Sequence, residues 1–232
     1  MPIRCKIWKE AIGESKLKLI ASKQVSDTEI SAHVSQLLPI VEGTIDLVYF
    51  IHGNGQIDVD YTFRAKKAEL PEIPRIGMVL QLPIEFDNLS YYGFGPWENY
   101  IDRNTAAFVG KYKSKVAEQY YPYSRPQENG HKSDVRWLSL QNQPGMGLKI
   151  KANSETIGFN ALHQPTSTFD SGEKKQLRTP LDVKQGDFVK LHIDHKMMGV
   201  GGEDSWGARP HKPYMLFADK EYKYSFSILP LK

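Results

Sequence analysis

The strongest constraint on what this chain can fold into is a two-residue alternation of apolar and polar side chains that recurs, run after run, along the sequence. Residues 16–38 (KLKLIASKQVSDTEISAHVSQLL) place Leu17, Leu19 and Ala21 on one face, then Ile30, Ala32 and Val34 on one face of the next run. Side chains of a strand point alternately to its two faces, so this period predicts strands. Residues 43–53 and 56–65 are two further β-rich runs separated by Gly53-Asn54-Gly55, a connection that predicts a hairpin. Pro71 and Pro74 interrupt the pattern, which resumes over 75–83 with Ile76, Met78, Leu80 and Leu82 on one side. Residues 85–92 predict a short strand ended by the glycine and proline cluster at 93–96. Five more strands are predicted over 134–141, 147–151, 156–163, 188–195 and 221–229, while 105–119 reads as a strand or a short helix. Only 171–177 looks briefly helical. Many short strands without amphipathic helices between them predict an all-β chain, a large antiparallel β-sandwich forming one domain over 1–232.

Composition narrows the function classes. The 30 basic and 27 acidic residues leave a net charge of +3 and are interspersed, which is not the footprint of a nucleic-acid partner. The densest basic pairs, Lys66-Lys67 and Lys174-Lys175, sit in polar turns and read as solvated faces. A mean hydropathy of −0.47 and the lack of any long apolar run predict no membrane partner. The N-terminus, MPIRCKIWKEAIGESK, has no apolar stretch followed by a cleavage site, so it does not read as a signal peptide. A single cysteine, Cys5, permits no internal disulfide.

Two irregular stretches carry the chemistry. Residues 198–214, MGVGGEDSWGARPHKPY, use Gly199, Gly201 and Gly202 to turn tightly and then present Glu203, Asp204, Ser205 and Trp206 in a row. In so polar a loop, Trp206 is either displayed or folded back onto the body of the domain. Residues 97–130, rich in tyrosine and proline, form a connection long enough to imply a task. Glycosidases and epimerases work with paired acids or an acid and a histidine, which makes Glu98, Asp102, Glu128, Asp134, Asp194, Glu203 and Asp204 the carboxylates to test. Spacing cannot pair them. Glu98-Asn99 and Glu128-Asn129 stand in similar settings, PWENY and PQENG, where the carboxylate suits bracing a loop by accepting backbone N–H groups. His192, Asp194 and His195 suggest a metal cluster, but residues three apart on a strand face opposite ways and no metal site is predicted. The chain contains no phosphate loop, zinc motif or nucleophile elbow.

Three strings, YYGFGPWENYIDRNTA (91–106), YYPYSRPQENGHKSDVRWLSL (120–140) and MGVGGEDSWGARP (198–210), in this order and at these separations, resemble the C-terminal domain of glycoside hydrolase family 2 β-galactosidases, also known as the small chain. The resemblance runs from about Trp8 onward and is weakest before Arg75. It implies a galactose-mutarotase-like supersandwich lacking its N-terminal strands, the last domain of a longer polypeptide that forms a homo-oligomer. It implies retaining hydrolysis of β-galactosides such as lactose by two glutamates on a separate (β/α)₈ barrel, with Mg²⁺ and Na⁺ there; no catalytic residue and no cofactor is then expected in this chain. The motif G-x-G-G-[DE]-D-S-W places the family's sugar-platform tryptophan at Trp206, with Glu203, Asp204 and Ser205 as weaker substrate-binding candidates, and implies a galactoside sugar and the parent's remaining domains as partners. Phe94 stands where family members often carry arginine, so a polar role is not expected there. A free-standing carbohydrate-binding module using the same aromatic loop is the alternative, and a sugar epimerase on a related sandwich is a third class for which no motif here speaks.

Overall fold

A computed structural model describes residues 3–170, 172, 178–202 and 207–232. Among the described residues one α-helix, α1 (Lys6–Gly13), precedes thirteen strands: β1 (Lys16–Ser26), β2 (Glu29–Leu38), β3 (Gly43–His52), β4 (Ile57–Arg64), β5 (Arg75–Pro83), β6 (Asn88–Gly95), β7 (Phe108–Lys115), β8 (Lys132–Val135), β9 (Trp137–Gln141), β10 (Gly147–Ala152), β11 (Ile157–Leu162), β12 (Phe188–Met197) and β13 (Tyr222–Leu231). A nine-stranded sheet in the order β1-β2-β3-β4-β13-β10-β9-β6-β7 packs on a four-stranded sheet in the order β5-β12-β11-β8. Every strand pair in both sheets is antiparallel.

Alternation sets the two layers. Val59, Tyr61 and Phe63 of β4, Tyr224 and Phe226 of β13, Leu89 and Tyr91 of β6 and Leu138 and Leu140 of β9 are buried in one core with Phe159, Ala161, Val189, Leu191 and Ile193 of the smaller sheet. The Tyr91 ring meets Phe159 edge-on across the layers, with centroids 5.2 Å apart. The Gly53-Asn54-Gly55 turn closes the β3–β4 hairpin as predicted, with His52 N–H donating to Gln56 O and Gly55 at φ +87°.

The predicted run over 134–141 divides between the layers. Asp134 adopts φ +56°, and the chain passes from β8 in the small sheet to β9 in the large one at Arg136, so one continuous apolar pattern serves two sheets. The stretch read as strand or helix is strand β7 followed by a single helical turn, Val116–Gln119. The glycine and proline cluster ends β6 later than its composition implies, because Gly93 and Gly95 pair in register with Gly110 and Phe108 and the strand runs to Gly95. The helix α1 has no counterpart in the period-two reading. It buries Trp8 and Ala11, and Trp8 packs edge-on against Phe63. The helix expected at 171–177 lies outside the described residues, apart from Gly172.

The unequal sheets leave apolar surface uncovered. All eleven residues of β1 are exposed, Leu17, Leu19, Ile20 and Val25 among them. A space of about 370 Å³ opens between the sheets beside β5, lined by Trp8, Leu38, Leu47, Phe63, Ile76 and Asp194 among others.

Candidate functional site

The irregular stretches converge on the small-sheet side of the molecule, where a polar layer lies beneath two long loops. Arg75 at the start of β5 supplies its centre. Its Nη2 donates to Glu128 Oε1 (2.9 Å) and Asn160 Oδ1 (2.8 Å), and its Nη1 lies 3.0 Å from His192 Nδ1. A guanidinium can only donate, so His192 Nδ1 accepts, and its Nε2–H is free to donate to Thr166 Oγ1 at 3.2 Å. Asn160 Oδ1 also lies 2.8 Å from His131 Nδ1, while Asn160 Nδ2 donates to Glu128 Oε1 at 2.8 Å. Burial, reinforced by the Arg75 charge, brings both His131 and His192 down to about 3 and keeps both neutral.

Asp194 stands at the edge of this layer, 1% exposed. Arg75 Nε is 3.3 Å from its Oδ2 and His131 Nδ1 is 3.7 Å away, yet among the described residues neither carboxylate oxygen makes a hydrogen bond. Burial raises its carboxyl to about 7, against the pull of Arg75. His195, three residues from His192, faces the other way and stacks on Tyr224 with centroids 5.3 Å apart. The two histidines therefore occupy opposite faces of β12. Among the described residues no group of three His, Cys, Asp or Glu side chains could hold a metal ion.

The loops above the layer are tied by the residues that PWENY and PQENG share. Glu98 accepts from the Gly130 N–H at 2.8 Å and from Arg103 and the Tyr123 hydroxyl. Asn99 donates to Phe94 O and Trp97 O, each at 3.1 Å, and accepts from Ser133 N–H at 2.9 Å. Asn129 binds both backbone groups of Tyr121, at 2.8 and 2.6 Å. Glu98 thus braces a loop as predicted, whereas Glu128 holds the Arg75 guanidinium and the Asn160 amide. Asp134 pairs locally with Arg136 at 2.9 Å.

Asp102 links the two stretches. Tyr100 and Arg103 exchange backbone hydrogen bonds (3.2 and 2.8 Å), which closes a tight turn with Asp102 between them. Its carboxylate accepts from Val200 N–H at 3.2 Å and Gly201 N–H at 2.7 Å. Gly199 N–H donates to Tyr214 O at 2.8 Å, and a Cβ at Gly202 would stand 2.7 Å from Ala208 O, so the two arms of the glycine loop lie side by side. Glu203, Asp204, Ser205 and Trp206, the predicted substrate-binding residues, lie outside the described residues. Their neighbours Gly201 and Gly202 carry the described arm into them.

Between the 96–107 turn and residues 118–123 runs a groove of about 640 Å³, with Trp97, Tyr121 and Tyr123 on its walls and the ammonium-bearing side chain of Lys132 at its floor. Lys132 is 2% exposed and donates to Gln119 Oε1 at 2.8 Å; burial lowers it to about 8. Sequence reasoning singled out none of Arg75, His131, Lys132 or Asn160. Arg75 is one arginine at a strand end and Lys132 one lysine among many, and only the fold makes them central.

These layers and loops define a two-sheet antiparallel sandwich domain, with its long loops gathered over the smaller sheet. The solved GH36 α-galactosidase AgaA from Geobacillus stearothermophilus shares this fold over 94% of the present chain and 28% of its own, with a TM-score of 0.50 at 8% identity. The galactose mutarotase related enzyme from Lactobacillus acidophilus aligns over 92% of the chain and 71% of its own, at a TM-score of 0.45 and 11% identity. The chain belongs to the β-galactosidase small chain family, whose model matches residues 2–228. It is 36% identical over 228 residues to a β-galactosidase of Priestia megaterium and 30% identical over 224 residues to one of Streptococcus thermophilus. The alignments cover 98% and 97% of this chain, which spans 21% of each relative.

Proposed function

We propose that this chain works as the non-catalytic small-chain part of a retaining, family 2 β-galactosidase that hydrolyses terminal β-D-galactosides such as lactose. In this reading the two glutamates and the Mg²⁺ and Na⁺ belong to a barrel domain outside this chain, which in turn gives that barrel one wall. The observation that carries it is the Asp102 carboxylate on Val200 and Gly201, because it fixes the arm that leads to Trp206. An indole face covers the C–H face of a pyranose, and the polar neighbours Glu203, Asp204 and Ser205 suit its hydroxyls. A platform that meets the sugar before and during bond cleavage lowers KM more than it raises kcat.

The test is kinetic. In the full-length parent, Trp206→Ala is expected to raise KM for lactose by about tenfold, the worth of one aromatic contact of ~1.4 kcal/mol. Unchanged kinetics overturn the platform. The 232-residue chain alone is expected to leave a chromogenic β-galactoside intact, and turnover that depends on Glu98 or Glu128 overturns the division of labour.

A further inference from the structure

The groove between the 96–107 turn and residues 118–123 has features of a built site that the glycine loop does not account for. Trp97 is 74% exposed and Tyr121 58% exposed, an unusual state for rings that gain most from burial. The backbone beneath each is nevertheless fixed by a buried asparagine: Asn99 holds Trp97 O at 3.1 Å, and Asn129 holds both the N–H and the C=O of Tyr121. Exposed rings on a rigid backbone lose little freedom when a ligand covers them. Tyr123 lies beside Tyr121 with centroids 4.7 Å apart, and Arg103, paired with Glu98, places donors and acceptors along the same wall. The groove's volume of about 640 Å³ falls within the range of roughly 300–1,000 Å³ typical of small-molecule sites.

The charges choose among ligands. Glu98, Asp102 and Glu118 share the groove with Arg103 and Lys132, a mixture that repels phosphate chains as much as it attracts them. Neutral rings with an apolar face and a rim of hydroxyls match aromatic platforms flanked by a carboxylate and a guanidinium. We infer that this groove binds a neutral oligosaccharide of two or more pyranose units, stacked on Trp97 and Tyr121. The groove is lined by no residue between 198 and 214, although Asp102 on its rim also holds Val200 and Gly201, and the stacking on Trp97 and Tyr121 is separate from the role given to Trp206.

Calorimetric titration of the 232-residue chain with β-1,4-galactotetraose and with maltotetraose tests this, with tryptophan fluorescence as a second readout. Saturable binding of either is expected, and the preferred sugar identifies the linkage class. Trp97→Ala is expected to weaken binding by about tenfold and Tyr121→Ala by at least threefold, values typical of aromatic contact residues. Leu181→Ala, at an exposed position outside the groove, is expected to leave it within twofold. Both groove residues are exposed, so unchanged circular dichroism and melting should verify that the variants fold. No saturable binding of either sugar, or binding indifferent to Trp97→Ala, overturns the site. Loss of binding in Trp206→Ala alone transfers the sugar to the glycine loop and also overturns it, whereas the kinetic test of the parent reads the Trp206 role separately.

Discussion

Asp102 illustrates how a single carboxylate acts at long range in this chain. Asp102→Asn keeps the shape but leaves one acceptor oxygen, so one of the Val200 and Gly201 N–H groups faces an amide NH2 that cannot accept, and at this half-exposed place the cost is about 1 kcal/mol. The expected readout is local: faster hydrogen exchange at the Val200 and Gly201 amides with little change in global melting. Arg75 is the opposite case. Arg75→Met leaves Glu128 without its cation and Asp194 without its nearest charge, and loss of one partner of a buried ion pair costs about 3–5 kcal/mol, to be measured by urea unfolding. The sequence disclosed these residues unevenly. Glu98 in PWENY reads as a loop brace and is one, because carboxylates next to asparagine suit backbone donors. Asp102 is named among the acids without its task, since its partners lie 98 and 99 residues away.

At the level of strands, period-two alternation was enough to place most of the β-elements, because each has one face in a common core. It could not show that 134–141 serves two sheets, since a change of layer alters a backbone angle at Asp134 and leaves the apolar pattern intact. Nor did it disclose α1, eight residues long, whose two buried side chains make too short a helical period to stand out from its surroundings. The β5–β12 pairing rests on a close approach that the sequence marks only by a glycine. A Cβ on Gly77 would stand 2.6 Å from Ile193 O and 2.5 Å from Asp194 Oδ1. Gly77→Ala must therefore push two strands apart, at an expected cost of about 1–3 kcal/mol. The same substitution at Gly13, where a Cβ would meet nothing within 4 Å, is the control.

The whole molecule responds to pH through its buried histidines. Burial holds His131 and His192 at about 3 and His195 at about 4, against an ordinary 6.5, so the folded state carries fewer protons than the unfolded one in between. Their stabilisation is complete above pH 6.5 and is lost as pH falls toward 3–4. Asp194, raised from 3.8 to about 7, works the other way, and its burial becomes less costly as pH falls from 7 toward 4. At pH 5 three histidines withdraw stability and one carboxyl returns it, so stability falls on acidification from pH 7. Urea midpoints at pH 7 and pH 5 check this, and a midpoint that rises on acidification contradicts the sign.

The uneven sheets act at the same scale. Eleven exposed residues of β1 form an unpaired edge, and such edges promote association. The 232-residue chain should self-associate with rising concentration in sedimentation experiments, and Ile20→Lys should shift it toward monomer.

The contact between Asp102 and the glycine loop also has an evolutionary corollary. A Cβ at Gly199 would lie 2.4 Å from Asp102 Oδ2, and one at Gly201 would lie 3.0 Å from the same atom. A side chain at either position displaces the Asp102 carboxylate from the Val200 and Gly201 amides. A family member with alanine at position 199 should carry a smaller residue at 102, and Gly199→Ala should be a defect that Asp102→Ser suppresses. The two loops, nearly a hundred residues apart in the chain, are then inherited as one character.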